Sequence, residues 1–169
     1  RAIGEITRPL DGGGAAADLA CWSPTSQWVG NPNSCHRRDR VVFHFDLARY
    51  LLSGSVREAR LKLTLAPFGL FDDHEFEVQI FRGTHAPVRA MDLISGDVEP
   101  LAQVTIRPKE GVKPVMLTVT EAVNQALESG TGAVTFRVVD RTIERLGNRK
   151  NKEEGATVEA ASVQLEIER

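Results

Sequence analysis

The sequence predicts an all-β fold, an antiparallel two-sheet sandwich, of which the jelly roll is one form, with one short helix. Three observations predict it. Apolar residues recur at every second position in six or more segments, the mark of strands that show opposite faces to core and solvent. Only one stretch has helical spacing. Strands and helices do not alternate regularly, so the strands have to pack sheet on sheet rather than under layers of helices.

The first strand is read from Val41, Phe43, Phe45 and Leu47, which alternate with Val42, His44 and Asp46. Leu61, Leu63 and Leu65 alternate with Arg60, Lys62 and Thr64, and Phe76, Val78 and Ile80 with Glu75, Glu77 and Gln79. Val104 and Ile106, then Val115, Leu117 and Val119, continue the pattern. It closes with Val134, Phe136 and Val138 and with Val163, Leu165 and Ile167. Antiparallel sheets with one wet face are expected. The helix is expected over 120–129, where Ala122, Val123, Ala126 and Leu127 share a face. Thr120 is placed to cap its first amides, Glu121 to meet the positive end of its dipole, and Gly130 to take the left-handed turn that stops it.

A chain of 169 residues, 41% hydrophobic, is read as a single domain over 1–169. At that length about 70% of the unfolded surface is buried on folding, enough for a core without metals or bridges. The formal net charge is -2. A dedicated nucleic-acid binder, which must neutralise phosphates, is therefore not expected, and any basic patch has to be local. No apolar run reaches the ~18 residues that cross a bilayer as a helix, so membrane insertion is not expected either. Beginning at Arg1, the chain is read as a processed product or a domain of a longer polypeptide with neighbouring domains, and as a monomer. Cys21 and Cys35 are close enough to close one loop. In an exported protein a bridge over about 15 residues contributes on the order of 3 kcal/mol, whereas in the cytosol both thiols stay reduced. His36, His44, His74 and His85 are too scattered for a zinc set.

Three loops are read as candidate carriers of function, because binding groups tend to sit on loops held by a rigid scaffold. The first spans 11–40 and holds both cysteines and both tryptophans; the second, 68–75, carries Asp72, Asp73 and His74. The third, 140–155, concentrates Arg141, Arg145, Arg149, Lys150 and Lys152 against Glu144, Glu153 and Glu154.

The run RVVFHFDL over 40–47, followed by GSVREARLKL over 54–63, resembles the secreted modules called DNRLRE domains. In that family a strand of the form Leu-x-Phe-Asp-Leu precedes a Gly-containing turn and a strand built on Ala-x-Leu-x-Leu, matched here by Ala59, Leu61 and Leu63. A later strand enters a helix through an Asp-Val-Thr pattern, matched by LTVTEAV over 117–123 with Thr118 in place of Asp. The resemblance covers roughly residues 38 to 167. It implies a jelly-roll sandwich on a secreted or cell-surface bacterial protein, extracellular or periplasmic, and a carbohydrate-binding module for an acidic polysaccharide such as alginate or a sulfated chain. The basic motif behind the family name is not matched residue for residue, so no ligand contact is carried over.

With that expectation, Trp22 and Trp28 are either stacking platforms for a sugar face or plugs for an open end of the core. His36, Arg37, Arg38 and Arg40 are either ligands for a uronate or sulfate, suited by the planar guanidinium fork, or a solvated approach to the first strand. Arg141, Arg145 and Arg149 are either a polyanion footprint or a solvated loop. Calcium, usually structural in such modules, has Glu5, Asp11, Asp18, Asp72 and Asp73 as candidate ligands. His44 and Asp46, beside Lys62 and Arg137, are the nearest approach to an acid–base pair, and Tyr50 is the candidate base of a lyase. No nucleophile elbow, phosphate loop or metalloprotease motif occurs. The expected function is therefore non-catalytic, with a structural spacer or, more remotely, a polysaccharide lyase as alternatives.

Overall fold

The structure, a computed structural model, describes residues 2–4, 28–31, 40–82, 96–146, 154–158 and 162–169. Strands form over the period-two segments, and also at three places that the alternation did not mark, β1, β2 and β9, with β2 inside the stretch read as the first loop: β1 (Ala2–Gly4), β2 (Trp28–Asn31), β3 (Val41–Asp46), β4 (Glu58–Phe68), β5 (His74–Phe81), β6 (Val98–Ile106), β7 (Lys113–Thr118), β8 (Ala133–Asp140), β9 (Glu154–Val158) and β10 (Gln164–Glu168). A 3-10 helix covers Ala48–Ser53, and two α-helices are present, α1 (Thr120–Glu128) and α2 (Arg141–Leu146).

Every strand pairing described is antiparallel. One sheet orders its strands β3-β8-β5-β6. In the other, β4 carries β7 on one flank, while β10 and β9 lie end to end on the opposite flank, against residues 58–62 and 65–68. β1 and β2 continue outward from β10 and β9. Taking β1 with β2 and β9 with β10 as single lines, the described strands make two four-line sheets that interleave as 1-8-3-6 and 2-7-4-5 along the chain. This is jelly-roll winding.

The alternation read in the sequence is the one that builds the core. Phe43 and Phe45 from β3, Leu61, Leu63 and Leu65 from β4, Phe76 and Val78 from β5, Phe136 from β8 and Leu165 from β10 are all 2% exposed or less. Each such side chain gains about 1.5–3 kcal/mol from leaving water. Phe45 and Phe136 meet edge to face, centroids 5.9 Å apart.

Four expectations are corrected. β4 does alternate between buried and half-exposed, but the β3-β8-β5-β6 sheet has no uniformly wet outer face: Val42, Glu77, Gln79, Thr135 and Arg137 on it are buried. The third loop is helical at its start, because Asp140 caps α2. The second loop shrinks to residues 69–73, since β5 already begins at His74. Thr120 does not cap α1; Val119 holds the N-cap position, and the Thr120 hydroxyl instead accepts the Ala59 N–H at 3.0 Å, tying the helix to β4. Gly130 does end the helix in the left-handed region, at φ 71°.

Candidate functional site

The end of the sandwich where β5 begins and β8 finishes gathers most of the described polar chemistry. Asp140, the last residue of β8, uses Oδ1 to accept the N–H groups of Thr142 at 3.0 Å and Ile143 at 3.1 Å, which starts α2. Its Oδ2 accepts a hydrogen bond from His74 Nδ1 at 2.6 Å. His74 Nε2 lies 3.3 Å from Glu154 Oε2, and Glu154 opens β9 in the opposite sheet. The His74 and Glu154 side chains are fully buried and that of Asp140 is 1% exposed, so an ionic cluster spans the sandwich. Burial pulls the His74 pKa down, but the Asp140 hydrogen bond and charge, with the nearby Glu154 carboxylate, outweigh it and raise the pKa above the ordinary 6.5. The Thr142 hydroxyl accepts the Glu75 N–H at 2.9 Å and Ile143 is 1% exposed, so α2 is also held on β5.

On this base α2 presents its arginines. Glu144 accepts Arg40 Nη2 at 2.6 Å on one oxygen and Arg141 Nη1 at 2.9 Å on the other. Arg141 Nε is 3.9 Å from Glu77, and Arg145 pairs with Glu75. Arg40 and Arg141, about a hundred positions apart, therefore meet at Glu144 with Arg145 beside them, Arg40 mostly buried while the Arg141 and Arg145 side chains are 40% and 59% exposed. A polar chain continues across the outer sheet face: Glu77 accepts Gln79 Nε2 at 2.6 Å, and Gln79 accepts Arg137 Nε at 2.7 Å. Gln103, opposite Glu77, and Thr105, opposite Glu75, are exposed beside it on β6. Such an arrangement can present guanidinium and amide donors in fixed positions to carboxylate, sulfate or hydroxyl oxygens.

Arg141 and Arg145 are thus brought together with Arg40, as the sequence left open. Trp22, His36, Arg37, Arg38, Arg149, Glu5, Asp11, Asp18, Cys21 and Cys35 lie outside the described residues, as does the side chain of Trp28, whose backbone pairs with Thr157 in β2. Asp72 and Asp73 are exposed in the turn before β5, and no group of three or more His, Cys, Asp or Glu is placed to hold a metal ion among the described residues. The other constellations separate. His44 Nδ1 is 2.9 Å from the Thr135 hydroxyl, and Asp46 accepts the Ala48 N–H at 2.8 Å. Lys62 is in the opposite sheet, bonded to Glu166 at 2.7 Å. Tyr50 is fully buried, its ring 5.1 Å from the Arg49 guanidinium and 5.3 Å from that of Arg169, so it is not the exposed base a lyase needs.

Sequence reading missed His74 as a core residue, although the signal was present. Positions 74, 76, 78 and 80 share parity, as do 134, 136, 138 and 140, so His74 and Asp140 extend the inward faces of their strands. For Glu154, one of two adjacent glutamates in a charged run, no such signal exists.

At the opposite end a cleft of about 690 Å³ runs between α1 and the ends of β5, β6 and β8, walled in part by Leu101, Thr118, Ala122 and Gln125. Among the described residues Arg82 is bonded to Glu99 at 2.7 Å and the cleft gathers no comparable group of arginines. A scan against protein-family models gives no match, and comparison with curated proteins gives none either. What fold and geometry define is an antiparallel all-β sandwich with an ion-paired arginine cluster at one end.

Proposed function

We propose that the chain is a non-catalytic carbohydrate-binding module for an acidic polysaccharide, alginate-like or sulfated, carried by a secreted enzyme or surface protein. The observation that supports this most is the meeting of Arg40, just before β3, with Arg141 and Arg145 of α2, the latter two open to solvent. Carboxylates of the protein hold the guanidinium forks, so less side-chain entropy is lost when a uronate or sulfate binds. Calorimetry with alginate, pectate and a neutral glucan at low and high salt tests the reading. Acidic chains should bind best, and their affinity should fall as salt shortens the Debye length from about 30 Å at 0.01 M to about 10 Å at 0.1 M. Arg145→Ala should weaken that binding roughly tenfold, the effect of losing one charge-assisted contact of about 1.4 kcal/mol. Equal binding to neutral and acidic chains without salt dependence would contradict the reading.

A spacer or adhesion domain without a glycan site is the second reading. It is favoured by the carboxylates of Glu75, Glu77 and Glu144, which offset the three arginines they contact. A blank glycan array on the purified protein is its expected signature.

A further inference from the structure

We infer that the buried Asp140–His74–Glu154 cluster positions α2, so that Asp140 and His74 are positioning residues for the arginines that α2 presents; the ligand side of this inference rests on the proposed polysaccharide reading. A helix of six residues has too few internal hydrogen bonds to hold its own shape. Its direction must therefore come from what it is tied to. Asp140 supplies the tie with both oxygens: Oδ1 takes the Thr142 and Ile143 amides, and Oδ2 takes His74 at the start of β5. The far side of the imidazole is set by its surroundings as well, because Nε2 is buried 3.3 Å from the Glu154 carboxylate across the sandwich. Glu75, the residue after His74, donates its backbone N–H to Thr142 and pairs its carboxylate with Arg145. The same two residues of β5 thus fix the first turn of α2 and receive the charge at its last turn. Freeing the first turn should release Arg141 and Arg145 from Glu144 and Glu75, although neither arginine touches His74.

The test compares the parent with His74→Leu, His74→Asn and Asp140→Asn. His74→Asn keeps an N–H donor near the position of Nδ1, whereas His74→Leu keeps none. Hydrogen exchange is read at the Thr142 and Ile143 amides and at the core strand β8, Arg Nε–Hε signals report the ion pairs, and calorimetry with an alginate oligosaccharide reports binding. In His74→Leu the two helix amides should exchange at least tenfold faster while β8 stays protected, and the Arg141 and Arg145 signals should sharpen toward the free-arginine position. His74→Asn should restore most of the protection and most of the oligosaccharide affinity. Asp140→Asn, which keeps an oxygen for the cap, should give an intermediate result. Helix amides and arginine signals that stay as in the parent when His74→Leu is folded would overturn the inference. So would loss of β8 protection in both His74→Leu and Asp140→Asn, since the cluster would then hold the whole sandwich and not α2. If the parent binds no alginate oligosaccharide, the polysaccharide reading fails alone, because exchange and arginine signals still decide the positioning role.

Discussion

His74 shows how one residue can sit on the inward face of a strand and still hold its proton more tightly than a free imidazole does. Its pKa is raised in the folded protein because Asp140 and Glu154 outweigh burial. A group whose folded pKa exceeds its unfolded value near 6.5 binds more protons when folded, so its contribution to stability is full below pH 6.5 and is lost as pH rises through the folded pKa. Urea midpoints measured from pH 5 to pH 9 should therefore fall in the alkaline half of that range. In His74→Leu that fall should be largely absent, and an unchanged slope would show that His74 is not its source. The residue was readable as inward by parity, but its partners were not: Asp140 ends another strand of the same sheet, and Glu154 comes from the opposite one, separated in sequence by more than the range over which a period can be followed.

Among the elements, α1 was visible in the sequence because its spacing, its acidic first turn and its terminal glycine are local features. Its actual anchors were not visible, because they are contacts to other segments. The Asn124 side chain accepts the Val56 N–H at 2.7 Å and donates to the Val56 carbonyl at 3.1 Å, closing both backbone groups of a buried residue. Asn124→Ala should cost about 2 kcal/mol, since two hydrogen bonds are lost and the backbone groups they satisfied are left to weak solvation. Chemical denaturation with an unchanged slope would measure it, and a loss below about 0.5 kcal/mol would place those groups in contact with water instead. The contrast with α2 is instructive. A six-residue helix spans less than two turns, too few to show a repeat, and its polar sequence, with Arg141, Glu144 and Arg145, looks like a loop until Asp140 is recognised as its cap. The outer face of the β3-β8-β5-β6 sheet misled for a related reason: Glu77, Gln79 and Arg137 are the residue types of a wet face, yet they satisfy one another and are buried.

At the scale of the molecule, the fold class followed from pattern alone, because six or more strands carry an apolar alternation in sequence, whereas the short strands β1, β2 and β9 carry none and were not read. The order of strands within the sheets did not follow, since alternation says which face is inward and not which neighbour is beside it. That order has a mechanical consequence. β1 pairs antiparallel with β10, Ala2 opposite Ile167, so residues 2 and 168 lie at the same end of neighbouring strands. Tension applied between those two points loads the β1–β10 hydrogen bonds one after another, like a zip. Tension between residues 68 and 168 instead drags β4 and β10 along each other and loads their bonds together, because Glu168 lies opposite Glu58 at the far end of β4 from Phe68. Single-molecule pulling should find the first geometry yielding at the lower force, and equal forces would refute the assigned pairing. A domain held at residues 2 and 168 would hang from a tether as a side branch and begin to open there under load, before the arginine cluster at α2 felt any strain.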